Sequence, residues 1–186
     1  FLPSSFQIPP LVYLFSSVGS PSRSHLPKIR KWFWRTSFTS RYRDATNMRV
    51  HNDIDFFEDT INGDNPDPSE YDTDVKSEHF FTNEQFNKQS CVSKAFVLML
   101  ADKEPRDLLT DQSISIENTL SSYDRTEFHH VFPRKFLKQR GFSNSKINCL
   151  SNICIVKSES NRSIGSDPPS KYLFGSQKNL FEARTE

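Results

Sequence analysis

Two adjacent histidines, His129 and His130, stand ahead of two asparagines, Asn152 and Asn161, and a short apolar run, Ile153-Cys154-Ile155-Val156, separates the asparagines. A hairpin running into a helix would gather all four side chains at one spot. One imidazole and one amide oxygen there could hold a divalent metal, while the second imidazole takes a proton from water. Those are the parts needed to cut a phosphodiester. A neutral imidazole is available for both jobs, because an ordinary histidine titrates near pH 6.5. Strand neighbours normally point to opposite faces, so the two histidines share a site only if the strand twists or ends beside them.

The elements that must position these groups are marked by local punctuation. Residues Glu127 to Val131 contain strand formers, and Pro133 can open a helix carrying Phe136 and Leu137 inward with Lys135 and Lys138 outward. Gly141 ends that helix. Asn152 to Val156 predicts the second strand, Glu159 to Ile164 a short helix, and Ser170 to about Phe174 a last one after Pro168-Pro169. Upstream, Thr82 is a candidate cap, and Phe86 to Leu100 reads as a helical apolar body ending before Pro105. In the front of the chain, a short helix is expected after Pro10. Gly19 to Ser24 is a break, and Pro27 can start a helix with Ile29, Trp32 and Phe33 on one face. Arg41 to Phe57 reads as a further helix, with Met48, Ile54 and Phe57 as core candidates. Asn62-Gly63-Asp64-Asn65-Pro66-Asp67-Pro68 is a loop.

The run His129-His130-Val131-Phe132-Pro133-Arg134-Lys135-Phe136-Leu137-Lys138, the asparagine-flanked strand, Asn161-Arg162-Ser163-Ile164 and Pro169-Ser170-Lys171-Tyr172-Leu173 together resemble an HNH (His-Me finger, ββα-metal) nuclease. Within that group the pattern is most like the C-terminal domain of GmrSD-type, modification-dependent restriction endonucleases. Lys94 to Leu100, the Arg106-Asp107-Leu108-Leu109-Thr110 turn and Lys28 to Tyr42 resemble the segments that precede the motif in that family. The resemblance implies an α+β, mostly helical fold, with a helical front segment and a ββα-metal finger embedded among helices. The corresponding division is 1–61 as front segment, 62–79 as acidic loop and 80–186 as nuclease domain, with the core motif at 127–165.

The resemblance also assigns roles. His130 is the general base and His129 a metal ligand, at a position where related nucleases use Asp. Asn161 is the second metal ligand, Asn152 orients His130 by hydrogen bonding, and Arg162 contacts the scissile phosphate. The metal is Mg²⁺, which keeps several waters, with Mn²⁺ as a substitute. The products are a 5′ phosphate and a 3′ hydroxyl. Gly165 stands where zinc-binding members carry a final histidine, and Cys91, Cys149 and Cys154 form no paired-thiolate motif, so no structural zinc is expected.

Charge supports a polyanionic partner. The net charge of +1 hides blocks: residues 1–50 carry eight Lys/Arg against Asp44, and 51–80 carry ten Asp/Glu against Lys76. Residues 129–162 carry Arg134, Lys135, Lys138, Arg140, Lys146, Lys157 and Arg162 against Glu159 alone. The basic residues of this last block other than Arg162 are the candidate phosphate contacts. DNA, plain or modified, is the expected partner, cut by a metal-dependent endonuclease of a prokaryotic restriction or phage-defence protein. A dimer would permit paired nicks. The alternatives are an inactive nucleic-acid-binding module and a helical protein-interaction scaffold. The chain opens with Phe1 rather than Met, which reads as a fragment whose nucleotide-hydrolysing, ParB-like N-terminal domain is missing. The apolar opening to Phe15 is broken by Pro3, Pro9 and Pro10 and lacks a basic leader, so no membrane span and a cytoplasmic location are expected.

Overall fold

A computed structural model describes residues 1–39, 41–66, 75, 79–123 and 128–173. The described chain forms two compact bodies, one of residues 2–66 with 89–95 and one of 79–88 with 96–173, joined also by Phe1. Of the expected segments, most of the acidic loop, Glu127 at the head of the motif and Phe174 lie outside the described residues. The fold is α+β and mostly helical, with one small antiparallel sheet. No helix among the described residues is long and apolar enough to cross a membrane.

The first body is helical. After a 3₁₀ turn, α1 (Ile8–Val18) begins with prolines in its first turn, where the missing N–H costs nothing. It is followed by α2 (Leu26–Phe38) and α3 (Thr46–Asn62). Leu14, Trp32, Phe56 and Phe57 make the core, with Ile29 and Phe33 packed against it; the Trp32 and Phe57 ring centroids are 4.8 Å apart. The sequence places Met48 in that core, but it is 55% exposed. The buried face of α3 runs through Asp53, Phe56, Phe57 and Thr60, and Met48 falls off it. Asp53 is buried by design of its partners: Arg41 donates to Oδ1 through Nε (2.9 Å) and a terminal nitrogen (2.6 Å), and the Tyr42 hydroxyl donates to Oδ2 (2.5 Å).

The second body carries the histidines. It contains α4 (Phe80–Asn83), most of the apolar stretch of α5 (Cys91–Ala101), α6 (Ile116–Ser121), β1 (Phe128–His130), α7 (Arg134–Lys138), α8 (Asn144–Ile147), β2 (Ile153–Ile155) and α9 (Ser158–Ile164). A final helical stretch covers 169–173. The helix expected from Phe86 starts instead at Cys91, because Ser90 caps it: its Oγ accepts from the Ser93 amide at 3.0 Å. Phe86 is extended, donating its N–H to Asn148 O (2.8 Å) while Leu150 N–H reaches Glu84 O (2.9 Å). Its ring joins Val97, Tyr123, Ile155 and Phe128 in the core beneath the sheet.

Candidate functional site

The two strands are three residues each and antiparallel, with Phe128 opposite Ile155, His129 opposite Cys154 and His130 opposite Ile153. Apolar residues at both ends of β2 face the core and fix the register, since a one-residue slip would turn them outward. Alternation then places His130, the half-buried last strand residue, on the face of Ile153 and Ile155, and His129 on the opposite face with Cys154, where it is buried. Pro133 ends the strand run and seats α7, and Gly141, at φ 79°, ends the turn after α7.

His129 and Asn161 meet. The Nδ1 of His129 lies 2.5 Å from Oδ1 of Asn161, on the middle of α9. With the amide oxygen accepting, Nδ1 carries the proton and Nε2 has a lone pair; Nε2 is buried with no hydrogen-bond partner among the described residues. Burial pushes the His129 pKa down, against a smaller upward pull from Asn161, so the ring is neutral at pH 7. Neutral imidazole is the metal-binding form. To hold an ion through Nδ1, the neutral ring would carry its proton on Nε2 instead, and Asn161 Oδ1 would be the second donor. Among the described residues no cluster of three or more His, Cys, Asp or Glu is placed to hold a metal. The donor set is therefore one nitrogen and one neutral oxygen, which fits an ion completed by water and phosphate oxygens.

His130 is held differently from the sequence expectation. Its Nε2 lies 3.1 Å from Oδ1 of Asn148, and Asn148 Nδ2 donates to Asn144 O at 2.9 Å. That second bond fixes which end of the amide faces the ring, so Nε2 must be the donor. The neutral ring consequently presents Nδ1 as its basic atom. Burial lowers the His130 pKa, with Arg134 and His129 adding to the effect and Asn148 opposing it.

Asn152, expected to orient His130, does not touch it. Its side chain is buried in a 3₁₀ turn before β2 and faces the loop after β1. Oδ1 accepts from Phe132 N–H (2.8 Å), and Nδ2 donates to Phe132 O (3.1 Å) and Ile147 O (2.8 Å). Its backbone carbonyl takes the Val131 amide at 2.9 Å. Asn152 thus pins the chain directly after His130. The Tyr172 hydroxyl donates to Val131 O (2.6 Å), adding a second tie from the last helical stretch.

Asp107 is a residue whose role the sequence left unassigned. It is almost fully buried, and its Oδ1 accepts from Leu109 N–H (3.0 Å), Thr110 N–H (3.0 Å), Thr110 Oγ (3.1 Å) and Ser160 Oγ (2.7 Å). Its Oδ2 accepts from Lys157 N–H at 2.9 Å. Lys157 has no cap of its own at the start of α9, so Asp107 caps the helix from the 105–113 loop. Burial alone would raise its pKa, but the bonds from Ser160, Lys157, Thr110 and Leu109 outweigh it and hold the carboxyl at about 2.

The basic residues divide. Arg134, Lys135 and Lys138 lie on α7, with the Arg140 guanidinium just beyond, 3.6 Å from the centre of the Phe136 ring. Lys146, in the last turn of α8, donates to Asn83 Oδ1 at 3.0 Å. Lys157 donates through Nζ to Gln112 Oε1 (2.6 Å) and lines a separate cleft of about 400 Å³ with Asn118 and Glu159. Arg162 is exposed and folds back on its own helix, with Nε donating to Ser158 O (3.3 Å) and a terminal nitrogen 3.9 Å from Glu159.

Comparison with known proteins leaves this geometry to speak largely for itself. No family model matches the chain, and no solved structure matches it. It is similar to an uncharacterized protein of Methanocaldococcus jannaschii, 24% identical over 151 residues. That match covers 80% of this chain and 25% of the archaeal protein, so the chain spans about a quarter of its relative's length.

Proposed function

We propose that the second body is a metal-dependent DNA endonuclease domain hydrolysing phosphodiesters to 5′ phosphate and 3′ hydroxyl ends. The observation that carries this reading is the pairing of neighbours at the end of β1. His129 Nδ1 converges on Asn161 Oδ1, while His130 is held through Nε2 with Nδ1 left to act as base. The resemblance of the same residues to the HNH motif supports the reaction class and points to a restriction or phage-defence role alongside a nucleotide-hydrolysing domain.

His130 Nδ1 removes a proton from water, and that water attacks phosphorus in line with the departing 3′ oxygen. Asn148 keeps the imidazole in the tautomer this requires, and Asn152 holds the loop that bears it. His129 and Asn161 would hold Mg²⁺ or Mn²⁺, which when bound supplies positive charge against the scissile phosphate and the 3′ oxygen. Arg134, Lys135 and Lys138 bind flanking phosphates through α7.

Supercoiled-plasmid cleavage tests the proposal, using wild type and His130→Ala with Mg²⁺, Mn²⁺ or EDTA, on plain and on hydroxymethylated or glucosylated DNA. The expected result is nicking that needs the metal and falls about 10²- to 10⁴-fold in a folded His130→Ala protein. The direct His129–Asn161 bond favours a second reading, a binding module without turnover. Plasmid retardation with no cutting under any metal would select it.

A further inference from the structure

A cleft of about 410 Å³ opens beside the loop that follows His130, walled by Phe132, Phe136, Leu137, Phe142, Arg140 and Lys146. Its size lies in the range of about 300–1,000 Å³ typical of sites for small organic groups. Phe132 and Phe142 are 45% and 51% exposed, beside the buried Leu137, Cys149 and Asn152. Phe132 and Phe136 lie nearly parallel, with centroids 6.3 Å apart and planes inclined by 27°. Arg140 covers Phe136. The cleft is also tied to the histidines, because Asn152 lines it and bonds both the N–H and the carbonyl of Phe132.

The geometry points to a subsite for an unpaired nucleobase of a DNA strand, stacked on Phe132 and Phe142 next to the phosphate addressed by His130. This rests on the reading of the body as a DNA-cutting domain and adds how the strand is gripped. The cleft offers flat aromatic faces and few polar groups, which suits any base and reads no particular one. Its charged lining residues, Arg140 and Lys146, are both cationic, and among the described residues no Asp or Glu lines it. Arg134, Lys135 and Lys138 stand on the helix that also supplies Phe136 and Leu137, where they can follow the backbone phosphates on either side of the stacked base. A purely apolar partner would not call for the cations, nor a small anion for the aromatic faces.

Fluorescence anisotropy in EDTA, which keeps the probe uncut, tests the assignment with labelled oligothymidylate and a labelled abasic strand of equal length. Wild type should bind oligothymidylate about five- to a hundredfold more tightly than the abasic strand. Phe142→Ala should lose that advantage and bind the two alike, while Phe142→Trp keeps it. Because Phe142 is half exposed, these variants should fold, and circular dichroism checks that they do. Equal binding of oligothymidylate by wild type and Phe142→Ala would overturn the subsite, as would an equal loss on both strands. If plasmid cutting persists in either case, the endonuclease reading survives and only the cleft assignment fails. If wild type binds no strand and cuts no plasmid, both fail. A self-association seen in sedimentation and abolished by Phe142→Ala, with strand binding unchanged, would instead give the cleft to a second copy.

Discussion

Replacing Asp107 by asparagine keeps the shape of the side chain and removes its charge. The Oδ1 position can still accept from Ser160, Leu109 and Thr110, but the new amide group faces the Lys157 N–H, donor against donor. Moving a carboxyl from 3.8 to about 2 corresponds to about 2.5 kcal/mol of stability at neutral pH, at 1.36 kcal/mol per pH unit. Leaving the Lys157 amide unsatisfied costs about 1–3 kcal/mol. These contributions overlap, so the expected loss is about 2–4 kcal/mol. The native carboxyl titrates below its unfolded counterpart, so its stabilisation is complete above about pH 4 and disappears as the pH falls through about 2. Urea unfolding followed by circular dichroism should show this acid-side loss in wild type and a flatter profile in Asp107→Asn. Hydrogen exchange should quicken at the amides of Leu109, Thr110 and Lys157, and plasmid cutting should fall because α9 carries Asn161. Unfolding within about 0.5 kcal/mol of wild type, with exchange unchanged at those amides, would refute the capping role.

Asn148→Ala should leave the fold intact, since the side chain is only half-buried, and slow plasmid cutting by about ten- to a hundredfold, less than His130→Ala. Single-turnover rates at saturating DNA check this, and an unchanged rate would mean that Asn148 does not set the tautomer. In the first body, Asp53→Ala strands the buried Arg41 charge and should cost about 3–5 kcal/mol, read from the urea dependence of tryptophan fluorescence through the buried Trp32. A loss below about 1 kcal/mol would show that the Arg41 side chain escapes to water.

The parts legible in the sequence were those written in adjacent residues. Pro133 before Arg134-Lys135-Phe136-Leu137, the Gly141 stop and the β-branched run after Asn152 each signal an element locally, and each lies where expected. The pairing of His129 with Asn161 was legible only through resemblance, because alternation alone separates neighbouring strand residues. Asn148 was missed since its partner is 18 residues away, although Ser143 capping Asn144–Ile147 was a readable sign of the short helix that presents it. Asp107 was quoted as part of a turn, but nothing local reveals a helix 50 residues on whose first amide needs an acceptor. Phe86 was read as helical from its apolar neighbours, and a non-local contact with Asn148 decided otherwise.

The strand that carries the histidines and its partner are three residues long each, and the chain between them, 131–152, includes two helices rather than a tight turn. Such a pair cannot zip from one end. Its closure entropy must be met before the Asn152 bonds and the reach of Asp107 to α9 can repay it. The histidines therefore come into line late in folding, and the same segment should be the first to open in the folded protein. Warming would then silence the chemistry well before Trp32 registers any melting, so thermal inactivation and thermal unfolding would follow separate curves.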